Sequence, residues 1–345
     1  MKIASCLKRL CLALPWASAL PLAAHATPAQ TQCPSQDFNR FLSAFSSDVS
    51  LQSAFQQHFV RKLTLRKSAA NEWVPYQPMV DSRALHFPLM RPADVSFAAV
   101  DVTPDGKSAT YTDKRAGLGN IKVYTFKHTN SCWLLSGIED WSVRDDQLSL
   151  SGSPGLSVVE QRCMARAGVY GGLGGPERYP LTAEFYQASM DYLVCAAASG
   201  DPQISLSAAG LGLSGMAAFP GYGKTEQLFL AGVKGIPDAA VGLAEFYCDG
   251  GDASYTGACL APDKAQAALL NSANTGSAGS LLALGEAYQT GKIFPKDLPR
   301  ALACSRAALT AGDTDAQRAI DWLLGQGVKQ DEALKCLPAQ ATGTS

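Results

Sequence analysis

The sequence predicts an α+β N-terminal domain, helices followed by a curved antiparallel sheet, and then an all-α solenoid of helical hairpins. Three observations predict it. Aromatic residues recur at helical spacing within 36–60, apolar and polar residues alternate through much of 63–140, and one glycine pattern repeats along the C-terminal half. The 345 residues suffice for about two domains. Hydrophobic residues make up 47% and charged residues only 17%, enough for packed cores and against long disorder. The formal net charge is −1, which excludes the basic footprint of a nucleic-acid binder.

The first 26 residues have the pattern of a secretory signal peptide. Lys2, Lys8 and Arg9 precede an apolar stretch from Leu10 to Ala24, and Ala24-His25-Ala26 places small residues where a signal peptidase reads. Pro15 and Pro21 interrupt that stretch, which is short for a bilayer span. Cys11 follows Lys8-Arg9-Leu10, which is not a lipoprotein context. No later segment reaches ~18 uncharged apolar residues, so no membrane span is expected in the mature chain. A periplasmic or secreted location follows.

The expected N-terminal domain covers 27–148. Phe38, Phe41, Leu42 and Phe45 fall on one helical face, and Leu51 and Phe55 continue it, so 36–60 is expected to be helical. Ala84–Leu89 and Val95–Val100 are expected strands. Thr103-Pro104-Asp105-Gly106-Lys107 has turn chemistry and leads into Ala109–Thr112. Ile121–Phe126 and Trp133–Ile138 form a second hairpin around Thr129-Asn130-Ser131. His58, His86 and His128 all lie here, with Asp140, Asp145 and Asp146 nearby. They would be the candidates for an acid–base or metal site, but no HxH or HExxH spacing occurs. Trp73, Trp133 and Trp141 are more simply core or rim aromatics than a ligand cage.

Residues 149–180 are expected to be a joint. Ser149–Leu156 has linker composition, a short helix is expected over 157–167, and the glycine-rich run 168–176 is expected to be a loop. Ala218-Phe219-Pro220-Gly221-Tyr222-Gly223-Lys224-Thr225 nearly matches a nucleotide-binding loop. Ala218 replaces its first glycine and no hydrophobic strand precedes it, so it reads as a turn into a helix.

The solenoid is expected over 181–338, with 339–345 as a disordered tail. Gly200, Gly235, Gly276 and Gly312 mark units spaced by 35, 41 and 36 residues. Fifteen positions after each comes a second glycine: Gly215, Gly250, Gly291 and Gly327. The first glycine separates two helices and the second closes the first helix of the unit in a left-handed cap. Alanine-rich second helices then allow close packing.

Beyond Cys6 and Cys11, eight cysteines remain: Cys33, Cys132, Cys163, Cys195, Cys248, Cys259, Cys304 and Cys336. An even number in an exported chain suggests disulfides, although eight admit on the order of a hundred connectivities. Cys248 and Cys259 flank the insertion of the longest unit, and a bridge there would be worth about 3 kcal/mol. Cys304 and Cys336 each lie three residues after an alanine early in a second helix, so stacking would bring them close. Cys163 and Cys195 lie on two helical segments, which leaves Cys33 with Cys132. The rival is a metal site, but there is no CxxC and no histidine after His128.

The run Gly276-Ser277-Ala278…Leu284-Gly285…Tyr288…Gly291…Asp297…Ala301…Ala307-Ala308…Gly312-Asp313 resembles the Sel-one-like repeat, a cousin of the tetratricopeptide repeat. The resemblance covers about 181–336. It implies a scaffold that holds a peptide or partner protein on a curved helical surface, sometimes stapled by disulfides. Residues 34–145, through Phe38…Phe41-Leu42…Phe45…Asp48 and Trp133-Leu134-Leu135…Ile138-Glu139-Asp140, resemble cone-shaped exported domains of the cystatin or nuclear-transport-factor type. That resemblance implies no catalytic residues. No cofactor is implied by either.

On a repeat frame, specificity can reside at positions that vary between units. The tenth residue after each first glycine is Gly210, Glu245, Glu286 and Trp322, and the thirteenth includes Gln289. Glu245, Glu286, Trp322 and Gln289 are therefore the candidate binding residues; the competing reading is a solvated face. A second function class is a cell-wall-related enzyme or small-ligand binder with its pocket in the N-terminal cone. A third, glycan binding, would want clustered exposed aromatics, of which the repeats offer Trp322 and a few tyrosines.

Overall fold

The computed structural model describes residues 32–92, 98–115, 120–129, 131–150, 152–175, 179–252 and 254–337. The expected signal peptide and C-terminal tail lie outside them.

Helix α1 (Phe38–Ser47) starts at Asp37, whose carboxylate accepts from the Arg40 amide at 2.9 Å. It buries Phe38, Phe41, Leu42 and Phe45. Asp48 caps α2 (Val49–Ala54). The expected helix over 36–60 is thus two shorter ones, and its last residues belong to strand β1 (Gln56–Lys67). There Val60, Leu63 and Leu65 are buried among more exposed neighbours. Long-range pairing along β1 overrides the local helical pattern.

Strands β2 (Trp73–Tyr76) and β3 (Met79–Asp81) both pair antiparallel with β1. The expected strand 84–89 is instead an irregular segment after a 3-10 turn, Ser82–Ala84. Pro88 has no amide to give a ladder. Fully buried Gln52 pins the segment, donating to the Met90 carbonyl at 2.8 Å and accepting from the Leu89 amide at 2.6 Å. Of the expected strand 95–100, the structure describes the later part, in β4 (Ala98–Val102). The hairpin turn follows as expected: the Gly106 amide donates to the Thr103 carbonyl at 2.8 Å, and β5 (Ser108–Arg115) returns. Strands β6 (Asn120–His128) and β7 (Trp133–Asp140) complete the sheet.

Its order is β2-β1-β7-β6-β5-β4, with β3 beside β1. The sheet is mixed rather than purely antiparallel, because β1 runs parallel to β7. The helices between β1 and the chain start lay α1 on one face. Phe38, Phe41, Phe45 and Phe55 form its core with Phe126, Leu135 and Trp133. Ring centroids of Phe38, Phe41 and Phe45 lie 5.3–5.9 Å from that of Phe126, edge to face.

Helix α3 (Val158–Leu173) opens with a capping box between Ser157 and Glu160. It runs on through Gly168, Gly171 and Gly172, where a loop was expected. Each glycine costs a helix about 1 kcal/mol. Packing outweighs that cost, because Val169, Tyr170 and Leu173 are buried against Leu63, Leu65, Trp141 and Val143 of the sheet domain. Helix α4 (Thr182–Ala196) adds Phe185 and Ala188 to the same core. The Tyr170 hydroxyl donates to the Trp141 carbonyl at 3.1 Å, and Arg166 reaches the Val143 carbonyl at 3.2 Å. Sheet and solenoid therefore share buried side chains.

Three further hairpins follow: α5 (Pro202–Leu213) with α6 (Tyr222–Val233), α7 (Ala239–Asp249) with α8 (Pro262–Ala273), and α9 (Ala278–Thr290) with α10 (Leu298–Thr310). Helix α11 (Ala316–Gly325) begins a fourth. The second glycines Gly215, Gly250, Gly291 and Gly327 all have φ between 69° and 78°. Gly200, Gly276 and Gly312 are also left-handed, whereas Gly235 is a glycine for lack of space: a Cβ there would lie 2.4 Å from Pro202 Cγ. Residues 331–336, expected to be helical, form bends. That segment is only a few residues long before Pro338, too short to nucleate a helix by itself.

Four disulfides join Cys33 to Cys132, Cys163 to Cys195, Cys248 to Cys259 and Cys304 to Cys336, across 99, 32, 11 and 32 residues. Every bridge links cysteines consecutive in the chain order. Four bridges fit an oxidising compartment. Among the described residues, no helix is long and apolar enough to cross a membrane.

Candidate functional site

Glu245 lies on α7 and Glu286 on α9, the first helices of successive hairpins. Each stands two residues after a buried leucine, Leu243 or Leu284, so about 200° of helical rotation carries it to the outer side. The stacking of units brings the two together on one groove of about 160 Å³. Its walls are Val241, Ala244, Ala283, Ala287, Leu269 and Ile293, and Thr290 and Lys292 also line it. Glu245 as a whole is exposed, yet the groove walls partly shield its carboxyl. That burial holds its pKa above the usual glutamate value; Asp249 and Glu286 push it the same way and Lys292 opposes them. Among the described residues neither glutamate carboxylate has a hydrogen bond or an ion pair.

The other two candidates are not in the groove. Gln289 lies one turn beyond Glu286, half-buried and outside the groove lining. Trp322 occupies the matching place on α11 and is 47% exposed. Lys292 and Ile293 escaped the sequence reading. The signal for them is Gly291, whose left-handed turn (φ 74°) ends α9 just before both residues.

A wider depression, about 780 Å³, lies over Tyr288, Phe294, Lys296 and Arg300. Its main polar group is already engaged: Arg300 donates to Asp297 at 3.2 Å and sits over the Tyr288 ring. On the N-terminal sheet a depression of about 150 Å³ is lined by Arg61, Lys127, Glu139, Gln57, Thr125 and Ser136. None of the three histidines lines it. His58 and His86 are exposed, and His128 Nε2 lies 2.6 Å from Gln36 Oε1 with its ring on Trp133. The nearby acids are in local pairs. Asp145 meets Arg166 and Arg162, Asp146 meets Arg144 at 2.6 Å, and Asp140 accepts from the Ser142 amide at 3.1 Å. The glycine-lysine-threonine near miss is the entry to α6: Gly221 (φ 93°) precedes the helix and Thr225 is buried. Among the described residues, no group of three or more His, Cys, Asp or Glu side chains is placed to hold a metal ion.

No protein-family model matches the chain, and no curated protein matches it. Solved structures do. A Sel1 repeat protein from Oxalobacter formigenes superposes with TM-score 0.37 at 19% identity, over 50% of this chain and 67% of that one. The protective antigen c5321 of uropathogenic Escherichia coli, which displays an SLR fold, superposes with TM-score 0.40 at 17% identity. That match covers 55% of this chain, which spans 38% of the antigen.

Proposed function

We propose that this chain is an exported, disulfide-stabilised repeat scaffold that binds a protein or peptide along the surface built by the first helices of its hairpins. Residues 1–26 act as a cleaved signal, and the mature chain works in the bacterial periplasm or outside the cell. The observation that carries the reading is the Glu245–Glu286 groove. Two successive repeats contribute equivalent carboxylates to one apolar slot, and no side chain of the described chain neutralises them directly. The partly shielded Glu245 carboxylate and the exposed Glu286 beside it put net negative charge on an apolar slot, and a partner can supply the counter-charge. The N-terminal unit, with α1 laid on a curved sheet, is read as a cone-shaped domain of the cystatin or nuclear-transport-factor type that anchors the solenoid.

The test is capture from a bacterial envelope extract on the oxidised mature chain, beside a Glu245→Ala, Glu286→Ala, Trp322→Ala variant. Proteins held by the first and lost by the second support the reading. Equal retention by both sinks it and moves binding elsewhere. The competing small-ligand or cell-wall enzyme reading would then centre on the depression of Arg61, Lys127 and Glu139.

A further inference from the structure

We propose that the groove between α7 and α9 takes a basic side chain, lysine or arginine, from an extended segment of the partner, with its aliphatic stem against the apolar walls and its cationic head between Glu245 and Glu286. This deepens the scaffold reading and rests on it.

Three features of the groove select that guest. The first is its wall chemistry. Val241, Ala244, Ala283, Ala287, Leu269 and Ile293 offer hydrocarbon and no hydrogen-bonding side chain. A methylene stem is at home there and a polar amide or hydroxyl is not. The second is size. A groove of about 160 Å³, open to solvent on one side, has room for a single side chain and none for a helix or strand. The third is charge. Two carboxylates line the slot, Asp249 adds a third to the field at Glu245, and among the described residues Lys292 is the cation that opposes them there. An acidic guest would meet net negative charge, and a neutral apolar guest would bury the carboxylates without a partner. A divalent cation is disfavoured because such ions want about six oxygen ligands, and the slot is mostly hydrocarbon.

Lys292 makes the inference sharper. It lines the groove but forms no ion pair with either glutamate among the described residues. A basic guest would share the carboxylates with it, at the cost of like-charge repulsion. Removing Lys292 should therefore strengthen binding while removing the glutamates weakens it.

The experiment pans a displayed library of short random peptides on the oxidised full-length mature chain, then measures synthetic versions of the enriched peptides by fluorescence anisotropy. The expected consensus is a lysine or arginine beside apolar residues. Glu245→Gln with Glu286→Gln should weaken binding about tenfold or more, the scale of a lost charge-assisted contact. Lys292→Met should tighten it. Raising the salt concentration should slow association. Enrichment of acidic or neutral peptides would overturn the basic-guest inference and leave the scaffold reading standing. Basic peptides that bind the double variant equally well would overturn the groove as their site. A concentration-dependent dimer abolished by the double variant would overturn the peptide guest in favour of a second copy of the chain. Failure to enrich any peptide would overturn this inference, while loss of the envelope capture as well would overturn the scaffold reading.

Discussion

Gly235 and Gly276 occupy the same place in successive repeats, and alanine should harm both for different reasons. At Gly235 a Cβ would lie 2.4 Å from Pro202 Cγ and 3.0 Å from Pro202 Cβ. Ordinary carbon contacts sit near 3.5–4.0 Å, so one partner must move by roughly an ångström. Pro202 cannot swing away, since its ring is locked into the first turn of α5, where Asp201 accepts from the Ile204 amide at 3.0 Å. Overpacking of this kind costs about 1–3 kcal/mol. In a domain of this size that lowers Tm by roughly 2–10 °C. At Gly276 nothing lies within 4 Å of a Cβ, but φ is +83°, and alanine there costs about 1–2 kcal/mol of backbone strain. The assay is thermal unfolding of the oxidised chain followed by near-ultraviolet circular dichroism. Pro202→Ala should recover part of the loss in Gly235→Ala and none of it in Gly276→Ala. Gly276→Asn should lose less than Gly276→Ala, because asparagine tolerates the left-handed region. If Gly235→Ala unfolds within about a degree of wild type, or Pro202→Ala rescues both variants alike, the steric account of the repeat glycines is wrong.

Three other predictions concern single features. Replacing Cys248 and Cys259 together by serine opens a bridge spanning 11 residues and should cost about 3 kcal/mol; limited proteolysis should then cut between Asp249 and Ala258, and an uncut loop of unchanged stability would refute the tether. Gln52→Leu strands the Leu89 amide and the Met90 carbonyl and should cost about 2–3 kcal/mol in urea unfolding, with a loss below about 0.5 kcal/mol counting against it. Glu245→Gln should raise Tm at neutral pH, because burial and the neighbours Asp249 and Glu286 hold the Glu245 pKa up, against Lys292. A carboxyl with a raised folded-state pKa loses stability as pH rises above the ordinary glutamate range, so the advantage of the glutamine should vanish on acidification below it. An advantage independent of pH would assign the effect to packing instead.

The repeat was legible because its punctuation is chemical. Left-handed turns at Gly215, Gly250, Gly291 and Gly327 demand glycine, and a fixed demand at a fixed interval shows in one sequence. The bridged cysteines were approachable for the related reason that each partner is the next cysteine along. What local pattern missed was decided by distant contacts. Gln56–Val60 were expected to end the helix over 36–60 but belong to β1, which pairs with β3 and β7, and no residue nearby announces a parallel pairing with a strand more than seventy positions away. Gly168, Gly171 and Gly172 carry a loop composition, but Tyr170 and Leu173 between and after them hold the helix against the sheet. The segment 331–336 has helical composition but is too short to nucleate a helix by itself. Within the groove, Glu245 and Glu286 were legible from their repeat position. Lys292 and Ile293 were not, because which residues follow a capping glycine into a slot depends on how their unit stacks on the preceding one.

The order of the bridges bears on how the molecule is made. Cysteines pair first with second, third with fourth, fifth with sixth, and seventh with eighth in the described chain. On the proposed export route, an oxidant that acts on thiols as they emerge from a translocation pore, taking each new cysteine with the one before it, would write this pattern without error. No wrong bridge has to be made and then unmade, so the chain should depend on a catalyst of oxidation and be indifferent to a catalyst of disulfide exchange. Cys163–Cys195 joins the two helices of one hairpin and Cys248–Cys259 closes the loop from α7 to α8, so both can form before the next unit stacks. Cys304–Cys336, in contrast, ties α10 to the segment after α11 and must wait for that helix.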